Sequence, residues 1–260
     1  MAQLLFNPSD IPSSDTKPMP LVLILDTSDC MNVITNPCRS FRAGVDENLT
    51  GETVEGGISR MSALNEAIRK MLRTLSKCEL DQGFKFLVSI LTFGDDTRLL
   101  FPPSHAADVC FTDLKASGNT PLGRALEIAK SLIEDRAQIP GRAYRPLVIL
   151  VSDGLPDAGW ESVFNDFIHN GRSAKCDRMA LAIGKETDRN MLGKFIEGTG
   201  HLVAEAETAE EITMKLLDFV NNSWRVQLDR PTDNRIPTPE HLSPFFSDGG
   251  SNFQEEGYYW

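Results

Sequence analysis

The chain has 260 residues, of which 41% are hydrophobic, so it can bury one substantial core with some residues left over. Its 26 basic and 37 acidic residues leave a net charge of −11, and because an acidic surface repels phosphate backbones we expect no nucleic-acid partner. No apolar run is long enough to cross a bilayer, no secretory signal is visible, and the five cysteines lack Cys-x-x-Cys spacing, which predicts a cytoplasmic protein with reduced thiols and no membrane association.

Apolar runs and apolar periodicities predict strands that alternate with helices. After a polar lead-in at residues 1–17, strands are expected at residues 19–25, 84–93, 97–101, 146–152, 179–183 and 201–204. Helices are expected near residues 61–75, 121–133, 160–168, 191–196 and 208–220. The alternation predicts an α/β fold: a doubly wound, mostly parallel sheet with helices on both faces and one antiparallel edge strand.

Prolines set two of the predicted boundaries. The strand at 97–101 is expected to stop at Pro102-Pro103, because proline interrupts strand hydrogen bonding. Thr120 is expected to cap the next helix, with Pro121 at the first helical position, where no amide donor is required. The turn that precedes this helix therefore presents a hydroxyl group.

Two of the predicted strands end in oxygen-bearing side chains. Asp26 and Ser28 follow the first strand, and Asp153 follows the strand at 146–152. In open parallel sheets, ligands bind beyond the carboxyl ends of strands at the point where the strand order reverses. If these two strands are neighbours across that reversal, Asp26, Ser28, Thr120 and Asp153 converge on one crevice. Such a set of oxygens suits a hard divalent cation.

This arrangement resembles the von Willebrand factor A (vWA) domain and its metal-ion-dependent adhesion site. The family pattern is Asp-x-Ser-x-Ser, then a distant Thr and a distant Asp, and Asp26, Ser28, Thr120 and Asp153 match it in order. The third position is Cys30, whose soft thiol suits Mg²⁺ poorly. The resemblance implies a vWA/Rossmann-like fold and a site for Mg²⁺ or Mn²⁺ formed by these five residues, with metal weakly bound or absent because Cys30 replaces serine.

Within that superfamily the chain is similar to the bacterial tellurium-resistance TerY-like family. This second resemblance implies a non-enzymatic protein-interaction module in a stress-response or phage-defence complex with kinase- and phosphatase-type partners. A partner's Asp or Glu would complete the shell of the metal. Two alternatives stay open: a metal-dependent phosphatase-like hydrolase that uses Asp26 and Asp153, and a structural subunit with a vestigial site. A haloacid-dehalogenase-type phosphatase would need a second carboxylate where this chain has Ser28.

Two segments depart from a minimal vWA domain, which is predicted to span residues 18–225. Residues 32–59 form an insertion after the first metal loop, longer than ordinary connections, for which both a partner-contacting loop and a tolerated surface insertion stay open. Residues 226–260 form a tail whose prolines oppose helix formation and whose aromatic content exceeds that of a solvating tail. We expect this tail to dock on its own domain or on a partner through Phe245, Phe246, Tyr258, Tyr259 and Trp260.

Overall fold

The computed structural model describes residues 17–35, 39–41, 52–54 and 57–228. The strands are β1 (Met19–Asp26), β2 (Ile34–Thr35), β3 (Arg39–Phe41), β4 (Glu52–Val54), β5 (Ile58–Ser59), β6 (Phe86–Phe93), β7 (Arg98–Ser104), β8 (Leu147–Ser152), β9 (Asp177–Ile183) and β10 (Ala204–Ala206). The helices are α1 (Arg60–Gln82), α2 (Leu122–Glu134), α3 (Glu161–His169), α4 (Arg189–Phe195) and α5 (Ala209–Leu228).

Six of the strands form a central sheet with the order β10-β9-β8-β1-β6-β7. β1 lies in the middle and pairs in parallel with β6 on one side and with β8 on the other. β9 and β10 continue the parallel part, whereas β7 pairs antiparallel with β6 at the edge. The predicted fold class, a doubly wound and mostly parallel sheet with one antiparallel edge strand, is confirmed.

Helices cover both faces of the sheet, which explains why β1 is apolar without alternation. All eight residues of β1 are buried. Leu21 and Leu23 pack into the core layer that also holds α1 and α5. Val22 and Ile24 point to the opposite face and pack with α2, α3 and α4. A strand that is buried on both faces needs apolar residues at every position.

Helix α1 connects β1 to β6 and begins at the carboxyl end of the sheet. Its first turn is capped by Ser59, whose hydroxyl oxygen accepts a hydrogen bond from the Ser62 N–H. The helix has 23 residues and ends before Gly83, whose N–H donates to the Glu79 carbonyl. At a rise of about 1.5 Å per residue, α1 is about 35 Å long, and it packs against α5.

Several predicted boundaries are wrong, each for a structural reason. β7 runs through Pro102 and Pro103 to Ser104, because among the described residues its outer side pairs with no other strand and needs no N–H donor there. The last strand lies at Ala204–Ala206 and not at residues 201–204. Helix α2 begins at Leu122, and within the described residues no side chain caps it, so Thr120 is not its N-cap.

Residues 32–59 contain two antiparallel strand pairs. β2 pairs antiparallel with β5, and β3 pairs antiparallel with β4. Residues 36–38, 42–51 and 55–56 of this segment lie outside the described residues, as do most of the lead-in and the aromatic tail from residue 229 onward. In the part of the chain that the structure describes, no helix is both long enough and apolar enough to cross a membrane.

Candidate metal site at the strand-order reversal

The strand order reverses between β1 and β8. From β1 the chain passes through α1 to β6 on one side, and it returns through α2 to β8 on the other. Because the two connections leave in opposite directions over opposite faces, a crevice opens at the carboxyl ends of β1 and β8. Asp26 is the last residue of β1, and Asp153 follows the last residue of β8.

Asp26 is held rigidly at the base of this crevice. Its Oδ1 accepts a hydrogen bond from the Ser28 N–H at 2.9 Å, and its Oδ2 accepts one from the Ser152 hydroxyl at 2.8 Å. The residue is fully buried, and this burial raises the pKa of the Asp26 carboxyl despite the bonds from Ser28 and Ser152, which lower it. Each carboxylate oxygen has a second lone pair that can face a cation.

Asp153 lies beside Asp26 and is also buried. Its Oδ2 accepts a hydrogen bond from Arg60 Nη1 at 3.0 Å. Burial, and then the negative charge of Asp26, raises the pKa of Asp153 to about 6, although the Arg60 guanidinium acts in the opposite direction. Two carboxylates in one desolvated crevice form a site that favours positive charge.

The hydroxyl residues approach the crevice from two loops. Ser28 Oγ is buried, two residues beyond Asp26. Thr120 lies on the loop before α2, and its hydroxyl is 4.0 Å from the point that a Cβ on Gly154 would occupy. The Thr120 carbonyl accepts a hydrogen bond from the Asp157 N–H at 2.9 Å, which ties this loop to the segment after β8. The structure thus brings the four predicted oxygen-bearing residues to one edge of the sheet.

Cys30 lies at the margin of the crevice. It belongs to the 3-10 turn Asp29–Asn32 and is exposed. Partial desolvation, followed by the negative charges of Asp153 and Asp26, raises the pKa of the Cys30 thiol. The thiol is therefore protonated at neutral pH, and a neutral thiol contributes neither charge nor a hard oxygen to a cation.

Two residues of the site escaped the sequence reasoning. Ser152 is a hydroxyl at the end of an apolar strand, and it orients Asp26. Arg60 occupies the first position of α1, where the helix dipole disfavours a cation. That unfavourable placement is the signal that could have marked Arg60, but the contact with Asp153 spans 93 residues and only the tertiary structure shows it.

The donor set fits a small, hard divalent cation. Among the described residues, Ser28 Oγ and Asp153 Oδ1 are buried polar atoms without a hydrogen-bond partner. Buried polar atoms are nearly always satisfied, so an orphaned pair beside a second carboxylate marks a place for an ion or water. The residues that the structure describes contain no group of three or more His, Cys, Asp or Glu side chains suited to a metal ion. A cation here would therefore depend on two carboxylates and two hydroxyls.

Comparison with known families identifies the class of domain. The model of the von Willebrand factor type A domain matches residues 21–155, more than half of the chain. The protein belongs to the von Willebrand factor type A domain family. An uncharacterized protein of Mycobacterium tuberculosis is 31% identical over 180 residues, which cover 66% of this chain and 24% of that relative. The chain thus spans about a quarter of the length of this curated relative.

Solved structures share the fold at low sequence identity. Proximal thread matrix protein 1 from the mussel byssus matches with a TM-score of 0.55 and 12% identity over 79% of this chain and 48% of that one. The same mussel protein, solved with a zinc-occupied MIDAS motif, gives a TM-score of 0.54 and 14% identity over the same shares of the two chains. The ArnB paralog VWA2 from Sulfolobus acidocaldarius matches with a TM-score of 0.51 and 13% identity over 77% of this chain and 44% of that one. This chain spans just under half of each.

Proposed function

We propose that this protein is a non-enzymatic interaction module whose crevice binds Mg²⁺ or Mn²⁺ weakly and captures a carboxylate of a partner protein. The observation that carries the proposal is the pair of orphaned buried oxygens, Ser28 Oγ and Asp153 Oδ1, within the described residues and beside Asp26. Asp26, Ser28, Thr120 and Asp153 would hold the ion. When bound, the ion would supply an open coordination position that attracts an Asp or Glu side chain. The zinc-occupied motif of the mussel protein supports a divalent cation at this place in the fold.

An apolar rim beside the acidic crevice supports a protein as the partner. Val33, Ile34 and Ile58, in and next to the β2–β5 pair, are each exposed to nearly half of their possible surface, and Leu155 is 68% exposed two residues after Asp153. The Val33 carbonyl accepts a hydrogen bond from the Arg60 N–H at 2.8 Å, which holds this pair against the site. Exposed apolar groups around a polar centre are typical of protein interfaces. The partner segment would therefore carry a carboxylate flanked by aliphatic side chains.

The wider role that we propose comes from the TerY-like resemblance. It is a place in a cytoplasmic bacterial stress-response or phage-defence complex with kinase- or phosphatase-type partners. In this role the module binds and does not turn over substrate. A phosphoesterase activity of the purified chain that disappears in Asp26→Asn would contradict the non-enzymatic role and favour a metal-dependent hydrolase.

Calorimetry with Mg²⁺ and Mn²⁺ tests the metal part of the proposal. We expect one weak site in the wild type, lost in Asp26→Asn, which keeps the shape of the side chain but removes its charge. Cys30→Ser should tighten binding by about tenfold, because a hydroxyl oxygen replaces a neutral thiol. A wild type without binding at millimolar metal, together with an unchanged Cys30→Ser variant, would contradict metal binding by the wild-type site.

Partner capture from the native host, with and without a chelator, tests the interaction surface. Leu155→Asp should weaken capture, because it places a charge in the apolar rim. Leu80→Asp is the matched control: Leu80 is 79% exposed, but it lies near the opposite end of α1, about 30 Å from the crevice. Equal loss of capture in both variants would contradict an interface at the crevice.

A further inference from the structure

Arg60 places a positive charge of the chain itself on the candidate metal site. Its Nη1 lies 3.0 Å from Asp153 Oδ2, and the side chains of Arg60 and Asp153 are only 11% and 0% exposed. The guanidinium also lies over Gly184, at the end of β9: a Cβ there would collide with Arg60 Nη2 and stand 2.7 Å from Cζ. Gly184 leaves the space that the guanidinium occupies, so the pair is a built contact and not a surface encounter.

The position of Arg60 is unfavourable for an arginine for two reasons, its place at a helix N-terminus and its burial. Arg60 is the first residue of α1, where the partial positive charge of the helix N-terminus repels a cation. Burial removes water from the guanidinium, which is costly unless a carboxylate replaces it. Asp153 provides that carboxylate. The arginine is therefore stabilised there by the negative charge of the crevice and not by its helix.

A divalent cation would compete for the same charge. Asp26 and Asp153 contribute two negative charges when ionised, and Arg60 contributes one positive charge. With Arg60 in place, a bound divalent ion would leave the crevice with a net charge of +1. Without Arg60, the two carboxylates and the ion together would be neutral. At short range in a poorly solvated site, such a difference is large.

We propose that Arg60 is an internal cation that pairs with Asp153 and thereby limits the affinity of the crevice for divalent ions. The inference depends on the proposed metal site and assigns its regulation. Arg60 contacts Asp153 Oδ2, whereas Oδ1 has no hydrogen-bond partner among the described residues, so a metal ion and the guanidinium would share one carboxylate and repel each other across it. Arg60 and Cys30 would then each contribute to the weak metal affinity that we propose for the crevice.

Removal of the charge at residue 60 tests the competition in the full 260-residue chain. Arg60→Gln should bind Mg²⁺ and Mn²⁺ at least about tenfold more tightly than the wild type, because the repulsion between two cations is gone. The readouts are calorimetry with each metal alone and electron paramagnetic resonance of free Mn²⁺. In a chelating buffer the variant should also melt at a lower temperature, since Asp153 loses its counter-charge, and saturating Mg²⁺ should raise its thermal midpoint more than that of the wild type.

Two further variants separate the effect from net charge and from side-chain length. Arg98→Gln changes the net charge equally, but Arg98 pairs with the exposed Asp96 at the edge strand, so its metal affinity should equal that of the wild type. Arg60→Lys keeps the charge and should not gain the affinity that Arg60→Gln gains.

The outcomes distinguish this inference from the proposed function. If the wild type binds metal and Arg60→Gln binds no more tightly, the role of Arg60 is overturned and the metal site stands. If only Arg60→Gln binds metal, the role of Arg60 is supported and the wild-type site is closed by it. If neither binds metal at millimolar concentration, both are overturned.

Discussion

Asp153 carries a charge that the folded protein holds at a cost. Burial and the neighbouring Asp26 raise its pKa from 3.8 to about 6, and Arg60 offsets only part of this shift. A carboxyl whose pKa is higher in the folded state binds protons there that the unfolded chain has already lost. Between about pH 4 and pH 6 the free energy of unfolding must therefore fall as the pH rises.

The first residue-scale prediction concerns this dependence on pH. In a chelating buffer, ionisation of Asp153 should lower the free energy of unfolding by on the order of 3 kcal/mol between pH 4 and pH 7. Asp153→Asn should remove most of this slope, measured by urea denaturation at several pH values. Part of the slope should remain, because burial also raises the pKa of Asp26. A slope as steep in the variant as in the wild type would contradict the prediction.

The same physics makes the crevice specific for cations. Two buried carboxylates are stable as anions only when positive charge is near, and Arg60 supplies one such charge in the structure. A bound metal ion would supply more. If the site binds a divalent ion as proposed, the ion would stabilise the folded state, and a chelator would remove that stabilisation.

At the scale of elements, the loop that carries Thr120 is tied to the end of β1 and to the segment after β8. The Ser117 N–H donates to the Thr27 carbonyl at 2.7 Å, and the Asp29 N–H donates to the Gly118 carbonyl at 3.0 Å. These backbone bonds hold the loop against the end of β1. These backbone bonds position Thr120. Within the described residues its hydroxyl does not cap α2.

Gly118 is the point at which this loop is most sensitive. Its φ is +82°, and a Cβ there would lie 2.5 Å from the backbone nitrogen of Asp95 and 2.6 Å from its Cα. Gly118→Ala should therefore shift the backbone, cost on the order of 2–4 kcal/mol and weaken Mg²⁺ binding, although it touches no proposed ligand. Urea denaturation and calorimetry measure the two effects.

Gly83→Ala is the matched control for that loop variant. Gly83 has a similar φ of +71°, but no described atom lies within 4 Å of the Cβ position, and the residue follows the far end of α1. It should cost about 1 kcal/mol and leave metal affinity unchanged. Normal metal affinity in Gly118→Ala would show that the loop does not position the site.

At the scale of the whole molecule, one sheet separates two core layers and carries the site at its edge. Both layers and all five proposed site residues lie between residues 17 and 228. The strand β1 contributes residues to both layers and ends in Asp26. We therefore expect residues 17–228 to fold and to form the crevice without the segment from residue 229 onward.

A truncated chain tests whether the domain is independent of the segment from residue 229 onward. A protein that ends at Asp229 should keep its thermal midpoint within about 3 °C and its Mg²⁺ affinity, because all residues of both core layers are retained. Differential scanning calorimetry of the truncated and full chains measures the first, and titration calorimetry the second. A large loss of either would show that the tail is part of the domain.

The aromatic tail itself stays a prediction, since Phe245, Phe246 and the last three residues lie outside the described part of the chain. If the tail docks on a partner, the truncated protein should capture less of that partner while its fold and metal affinity stay intact. Unchanged capture would leave the tail without this role.

The sequence by itself determined the sheet and the identity of the oxygen-bearing residues. β1 and β8 are continuous apolar runs, and a strand buried on both faces leaves this pattern locally. Asp26, Ser28 and Asp153 follow those runs directly, so their place at the carboxyl edge could be predicted once the strands were known. The alternation with amphipathic helices was likewise local information.

Only the tertiary structure decided how the charges of the site are balanced. Arg60 and Asp153 are 93 residues apart, and Ser152 and Asp26 are 126 apart, so no periodicity along the chain relates them. The path of β7 through its prolines depended in the same way on its place at an edge, which local propensity does not encode. Contacts between distant residues follow from packing, and packing determined that an arginine pairs with a carboxylate of the candidate metal site.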